Sequence, residues 1–209
     1  MSIVVPEYGH PSDEPHKSMG YLVGTIRSLI PLGAKRILDV GSGNGYLLGM
    51  LCRELSATGV GIDISDEGVD RARRSYPEQR FEVELATPGL LDRIGEEPFD
   101  LVVSTEVVEH VYAPRDWAMA CFESLRPGGT LLASTPYHGY VKNVLIAATG
   151  KFDHHVNPLW DGGHIKFWSP GTLRRLVEEI GFGEYRWRGS GRVPLIWKSL
   201  VASATRPHA

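Results

Sequence analysis

The sequence predicts an α/β fold: a doubly wound, mostly parallel, seven-stranded sheet closed by a C-terminal antiparallel hairpin. Three observations carry that reading. Short β-branched and aliphatic runs alternate with amphipathic helical stretches along most of the chain, a pattern that demands parallel strands joined by right-handed crossovers. The first such run, Ile37-Leu38-Asp39-Val40, opens into Gly41-Ser42-Gly43-Asn44-Gly45, three glycines in five positions. The next, from Gly59 to Ile64, carries the carboxylate of Asp63 near its far end, eighteen residues after Gly45.

In chain order, residues 1–13 are rich in Pro, Gly and charge and read as a flexible lead-in. From Glu14 to Ile30, apolar Met19, Leu22, Val23, Ile26, Leu29 and Ile30 recur at three- and four-residue steps, which predicts a helix stopped by Pro31-Leu32-Gly33. Ile37–Val40 is the first strand, and Tyr46–Leu55 the first crossover helix. After the Asp63 strand, Ser65 caps a helix from Asp66 to about Tyr76, whose Arg71, Arg73 and Arg74 suit its C-terminal end and form a solvated face. Strands follow at Phe81–Leu85 and Phe99–Ser104, then a helix from Pro114 to Leu125. Pro127-Gly128-Gly129 turns into a fifth strand, Thr130–Ser134. Residues 137–168 stand as an insertion, aromatic, glycine-rich and holding four of the eight histidines, the composition of a lid or acceptor pocket. Pro170–Ile180 is the last helix, and Glu184–Arg188 with Trp197–Thr205 form the closing hairpin. The whole, 1–209, is expected to be one domain.

A net charge of −3 argues against a general nucleic-acid binder, which needs a basic stripe to neutralise phosphates. The two cysteines, Cys52 and Cys121, fall in expected helices without metal-type spacing and read as small buried apolar groups, in keeping with a reducing cytoplasm. No run reaches eighteen apolar residues and no export signal is recognised, so no membrane span is expected. The expected partner is a small molecule, and the expected state a monomer or homodimer.

Glycines at 41, 43 and 45 permit positive φ and let a ligand approach the main chain, with free amides at the start of the next helix facing it. The spacing is not the G-x-G-x-x-G of a dinucleotide site, and no G-K-[ST] follows, so a P-loop is excluded. Asp39 in front of the loop is a poor neighbour for phosphates and a good one for an ammonium group. This D-x-G-x-G-x-G pattern, with Asp63 ending the next strand, resembles the class I S-adenosylmethionine-dependent methyltransferases. Phe99-Asp100-Leu101-Val102 and Leu125-Arg126-Pro127-Gly128-Gly129 are similar to two further motifs of that family, and the resemblance runs from about Ile37 to Phe182. It implies a Rossmann-like sheet and an S-adenosylmethionine site made by Asp39, Gly41, Ser42, Gly43, Asn44, Gly45, Asp63, Ile64, Ala86, Ser104 and Thr105, with Asp63 on the ribose hydroxyls. Where the family carries an acid after the third strand, this chain has Ala86-Thr87, with Glu84 as the nearest substitute. The family's first helix packs over the cofactor edge, which makes Tyr8, His16 and Tyr21 candidate contacts.

Methyl transfer needs the acceptor aligned with the S-methyl bond and, for a hydroxyl, a base. If the turn after Ser104 is helical, Glu106, Glu109 and His110 share one face. This E-x-x-E-H stretch resembles the same segment of ubiquinone-biosynthesis O-methyltransferases and of small-RNA 2'-O-methyltransferases. The latter resemblance implies that Glu106, Glu109 and His110, with His164 as the fourth ligand or a second base, hold a divalent metal, Mg, Mn, Fe or Zn. The alternative is that Glu109 and His110 only brace the turn. His154-His155 reads equally as site or surface, and Lys142, Lys151 and Lys166 give the insertion a positive character suited to an anionic acceptor. The expected function is methylation of a small-molecule hydroxyl with His110 as base or metal ligand and Glu106 and His164 beside it. A metal-dependent RNA 2'-O-methyltransferase and a non-catalytic S-adenosylmethionine-binding partner subunit are the alternatives.

Overall fold

The computed structural model describes residues 16–208. Five parallel strands come first: β1 (Arg36–Val40), β2 (Thr58–Asp63), β3 (Arg80–Val83), β4 (Phe99–Thr105) and β5 (Leu125–Pro136). With β6 (Gly183–Ser190) and β7 (Ser199–Thr205) they form one seven-stranded sheet in the order β3-β2-β1-β4-β5-β7-β6. The closing hairpin lies at one edge of the sheet, as expected, with its second strand next to β5. β7 runs antiparallel to β5 from Thr130↔Thr205 to Pro136↔Ser199, and β6 lies outside it as the edge. Burial explains the division: β7, apolar at Leu200, Val201, Ala202 and Ala204, is buried almost throughout, while β6 carries Glu184, Arg186 and Arg188 toward water.

Helices α1 (Met19–Arg27), α2 (Tyr46–Leu55) and α3 (Asp66–Ser75) contribute Leu22, Ile26, Leu48 and Val69 to a core with Ile37, Leu101 and Val103. Helices α4 (Leu90–Ile94), α5 (Pro114–Glu123) and α7 (Pro170–Ile180) contribute Ile94, Trp117 and Leu173 to a second core with Leu38 and Val102. Neighbouring strand residues thus serve opposite faces, the two-residue period of a sheet covered on both sides. Helix α6 (Tyr140–Ala148) belongs to the connection between β5 and α7. Because the chain winds from β1 outward to β3 and then returns to place β4 on the other side of β1, the loops leaving β1 and β4 diverge and leave a crevice between them. No helix among the described residues is long and apolar enough to cross a membrane.

Several boundaries differ from expectation for physical reasons. The helix expected over Glu14–Ile30 is α1, Met19–Arg27, and the lead-in 1–13 with Tyr8 lies outside the described residues. The third strand stops at Val83, two residues early. α4 was not anticipated; at five residues, with Gly89 and Gly95 at its ends at φ 75° and 66°, it is too short to show a period. The fifth strand takes in its own approach: Pro127-Gly128-Gly129 is absorbed as an irregularity opposite Phe99–Leu101. The insertion at 137–168 is part helix, comprising α6 and one 3₁₀ turn at Phe152–His154. Ser65 caps α3 as expected, accepting from Gly68 N at 3.1 Å, and Cys52 and Cys121 are buried free thiols.

At the other end of the sheet, Asp100 fastens β4 to its neighbours. Its Oδ2 accepts from the amides of Lys35 and Arg36 at 2.7 and 2.9 Å, and its Oδ1 accepts from Arg126. Burial alone would raise its pKa, but the Arg126 guanidinium and the two amides together hold the carboxyl below the usual carboxylate range. That contribution is present above the unfolded-state pKa of about 4 and is lost as pH falls through the lower native value. Asp100→Asn should therefore cost about 1–3 kcal/mol in urea unfolding at pH 7, and the difference from wild type should shrink when the titration is repeated at pH 3.

Candidate active site

The loop leaving β1 is shaped by left-handed glycines, Gly41, Gly43 and Gly45, at φ 80°, 51° and 78°. At Gly41 the space requirement is absolute, because a Cβ would lie 2.3 Å from Cγ2 of Val107 in the loop leaving β4. The loop's amides are consumed internally. Gly41 N and Ser42 N donate to Ile62 O at 2.8 and 2.9 Å, Gly45 N to Ser42 O at 2.9 Å, and Gly43 N to Oδ2 of Asp63 at 2.8 Å. Of the amides at the start of α2, which were expected to face a ligand, Tyr46 N donates to Asn44 Oδ1 at 3.3 Å. Asp63 also accepts from Ser65 N at 2.9 Å through Oδ1, and each of its oxygens keeps a lone pair for a ligand hydroxyl.

Asp39, behind the loop, is 1% exposed, and its Oδ1 has no hydrogen-bond partner. Burial, and then the charge of Asp63, push its pKa up to about 8. Ser104 has its hydroxyl committed within the sheet, donating to Val40 O at 2.9 Å and accepting from Nε1 of Trp117 at 3.2 Å. It joins β4, β1 and α5 rather than facing the crevice. Ile64, Ala86 and Thr105 are half-buried at the same end of the sheet. Glu84, the substitute acid, is taken by Arg93 at 3.3 Å.

The turn after β4 is not helical. Glu106 adopts φ 55°, and its amide extends the ladder to Ser134 O at 3.0 Å. Its carboxylate accepts from Ser134 Oγ at 2.8 Å and Ser199 Oγ at 3.2 Å. This separates Glu106 from the partners it was expected to join. Glu109, His110 and His164 do come together, with one ligand atom of each within 4.8 Å of the others. His164, fifty-four residues after His110 in sequence, is delivered by main-chain lacing: Ile165 N and Lys166 N donate to Glu109 O at 3.0 and 3.1 Å, and Nε1 of Trp168 donates to Val108 O at 3.2 Å. The rings of His110 and His164 meet edge-on at 4.8 Å.

Glu109 is 1% exposed and neither of its oxygens has a hydrogen-bond partner. Burial and the neighbouring Glu106 raise its pKa well above the usual range, and burial raises that of Glu106 to about 7. His164 is pushed down to about 4 by burial and the nearby His110, so its ring is neutral at neutral pH. Nδ1 of His110 lies 2.7 Å from Gly162 O, which can only accept, so Nδ1 carries a proton. Beside this cluster opens a cavity of about 300 Å³, whose wall includes Tyr21, Lys142, Trp160, His164, Arg192 and Lys198.

The methyltransferase-domain family matches residues 20–183. The chain belongs to this family. Its relatives include the ubiquinone biosynthesis O-methyltransferase of Xylella fastidiosa, 36% identical over 88% of this chain and 80% of that one. The corresponding protein of Dinoroseobacter shibae is 35% identical over 75% of this chain, which spans 63% of that relative's length. In fold, the chain is similar to an S-adenosylmethionine-dependent methyltransferase from Mesorhizobium loti, with TM-score 0.67 at 20% identity over 88% of this chain and 96% of that one.

The structure places Asp39, Gly41, Ser42, Gly43, Asn44, Gly45 and Asp63 on β1, in the loop after it and at the end of β2, and brings Glu109, His110 and His164 together beyond β4. Arg192, Lys198 and Trp160 were missed. Arg192 sits in the turn after β6, which no motif marks, and Lys198 and Trp160 have no periodic partner, so only tertiary contact reveals them.

Asp39, with its native pKa near 8, stabilises the free protein fully below about pH 4 and loses that contribution as pH rises through 8. If S-adenosylmethionine brings its positive charge beside this carboxyl, its binding should release up to about one proton per site at pH 7, read by calorimetry in buffers of different ionisation enthalpy. Asp39→Asn should abolish the release, and Asp63→Ala should weaken binding by at least about tenfold by removing the hydroxyl acceptor and the Gly43 tie.

Proposed function

We propose that this methyltransferase moves the methyl group of S-adenosylmethionine to a hydroxyl oxygen of a small-molecule acceptor seated in the cavity beside His164. The observation that carries this reading is the Glu109 carboxylate, buried with neither oxygen hydrogen-bonded among the described residues, next to two imidazoles of which His164 lines a cavity of about 300 Å³. The names of the relatives, O-methyltransferases, support oxygen as the methylated atom. The chain is read as one domain over 1–209, with 137–168 forming the acceptor-side wall.

The acceptor oxygen attacks the methyl carbon in line as the carbon–sulfur bond breaks, giving the methyl ether and S-adenosylhomocysteine, while the hydroxyl proton leaves to a base. His110 is oriented for that role: Gly162 O holds the proton on Nδ1, so in the neutral ring Nε2 is the basic nitrogen. His164 presents a neutral ring beside it. Glu109 stabilises the positive charge that develops on either imidazole. The same three residues also fit a divalent cation as a two-histidine, one-carboxylate set, which when bound would lower the pKa of an adjoining hydroxyl. Glu106, occupied by two serines, is left out of that set. The cavity volume favours a small acceptor over RNA, whose recognition needs a longer basic surface.

Glu109→Gln should lower kcat for a catechol acceptor by about 10²-fold or more while S-adenosylmethionine binding is retained. Dialysis against chelator, followed by metal analysis and re-addition of Mg, Mn, Fe or Zn, should remove and restore activity. Unchanged activity in metal-free protein would leave His110 as a plain base, and cofactor binding without transfer to any hydroxyl acceptor would support a non-catalytic binding role.

A further inference from the structure

Lys142, on α6, is 6% exposed, yet among the described residues its ammonium has only the carbonyl of Lys198 within bonding reach, at 3.4 Å. A buried ammonium is costly unless an anion accompanies it. Across the cavity stand Arg192, in the turn after β6, and Lys198, just before β7, whose ammonium rests 4.8 Å from the ring centre of Tyr21. Among the described residues no carboxylate lies within 4.0 Å of any of these three cations, whereas Arg27, Arg36, Arg80, Arg93, Arg115 and Arg126 each have one. Glu106 is the carboxylate that acts on Lys142, at longer range, and both its oxygens are already bonded to serines. Among the described residues the cavity wall thus holds three basic side chains and no carboxylate, and burial and Arg192 push the pKa of Lys142 down to about 8.

Arg192 is held at φ 63°, a conformation few non-glycine residues adopt. Lys142 comes from α6 and the other two from the loop joining β6 to β7, and all three line the same cavity. The same field reaches His155, whose pKa is lowered first by burial and then by Lys142 and Arg192. His164 lines the same cavity and belongs to the Glu109 cluster. One small molecule can therefore touch both the cations and that cluster.

We propose that the acceptor carries an oxyanion, a carboxylate or a phosphate, and that Lys142, Arg192 and Lys198 bind it while the hydroxyl to be methylated faces Glu109, His110 and His164. The proposal rests on the methyltransferase reading above and adds the substrate class. The anion supplies the missing counter-charge and fixes which hydroxyl reaches the methyl group, since a ring pinned at one end presents one edge at the other.

The test compares catechol with 3,4-dihydroxybenzoate as methyl acceptors, and benzoate with phenyl phosphate as calorimetric ligands that need no turnover. Wild type should show a KM for the dihydroxybenzoate at least about tenfold below that for catechol. That ratio should collapse toward one in Arg192→Gln, an exposed position where folding is not at stake, and in Lys142→Met. Whichever of benzoate and phenyl phosphate binds more tightly identifies the anion. Binding of either one, lost in Arg192→Gln, with no methylation of any catechol would uphold the anion site while sinking the O-methylation reading. Equal treatment of charged and neutral rings by wild type, preference unchanged in both variants, or no binding of either anion would overturn it.

Discussion

Two carboxylates buried without full hydrogen bonding, Asp39 and Glu109, set the constraint on which the rest of this site depends. A buried, unbonded carboxylate disfavours its own charge and destabilises the free protein, so it persists only where a cation or proton-bearing ligand is to be received. Asp39 lies behind the glycine loop and Glu109 beyond the end of β4. They lie on and beyond β1 and β4, the two strands between which the winding of the sheet reverses. Stability at this end of the sheet is relinquished in exchange for electrostatic complementarity, and the opposite end, where Asp100 collects three donors, is the well-satisfied one.

The crevice is narrow because its two loops touch. Val107, leaving β4, occupies the space a side chain at position 41 would need. Gly41 therefore serves two purposes, turning the chain at positive φ and admitting its neighbour. With most loop amides turned inward onto Ile62, Ser42 and Asp63, the loop is held rigid before any ligand arrives. Preorganisation of that kind reduces the ordering cost of binding.

On the acceptor side, organisation comes from the chain's far half. Hydrogen bonds from residues 165, 166 and 168 to the main chain of Val108 and Glu109 carry His164 into place, and β7, lying between β5 and β6, brings Lys198 near α6. The aromatic and histidine-rich composition of 137–168 signalled a pocket, but the composition could not say which of its histidines would meet His110. His154 and His155 lie at the cavity's far wall, apart from the Glu109 cluster.

Local sequence determined the alternation of strands and helices, the glycine loop with Asp39 and Asp63, and the capping of α3, because each depends on neighbours within a few residues: hydrophobic period, glycine's tolerance of positive φ, and a serine oxygen near the next free amides. Tertiary structure decided the rest. Glu106 was expected beside Glu109 on a helical turn, yet the β4–β5 ladder runs one residue further than the apolar pattern shows and turns Glu106 toward Ser134 and Ser199. The meeting of His164 with Glu109, and of Lys142 with Arg192 and Lys198, likewise joins residues fifty to fifty-six positions apart, brought together by loop lacing and strand pairing that leave no periodic trace in the chain.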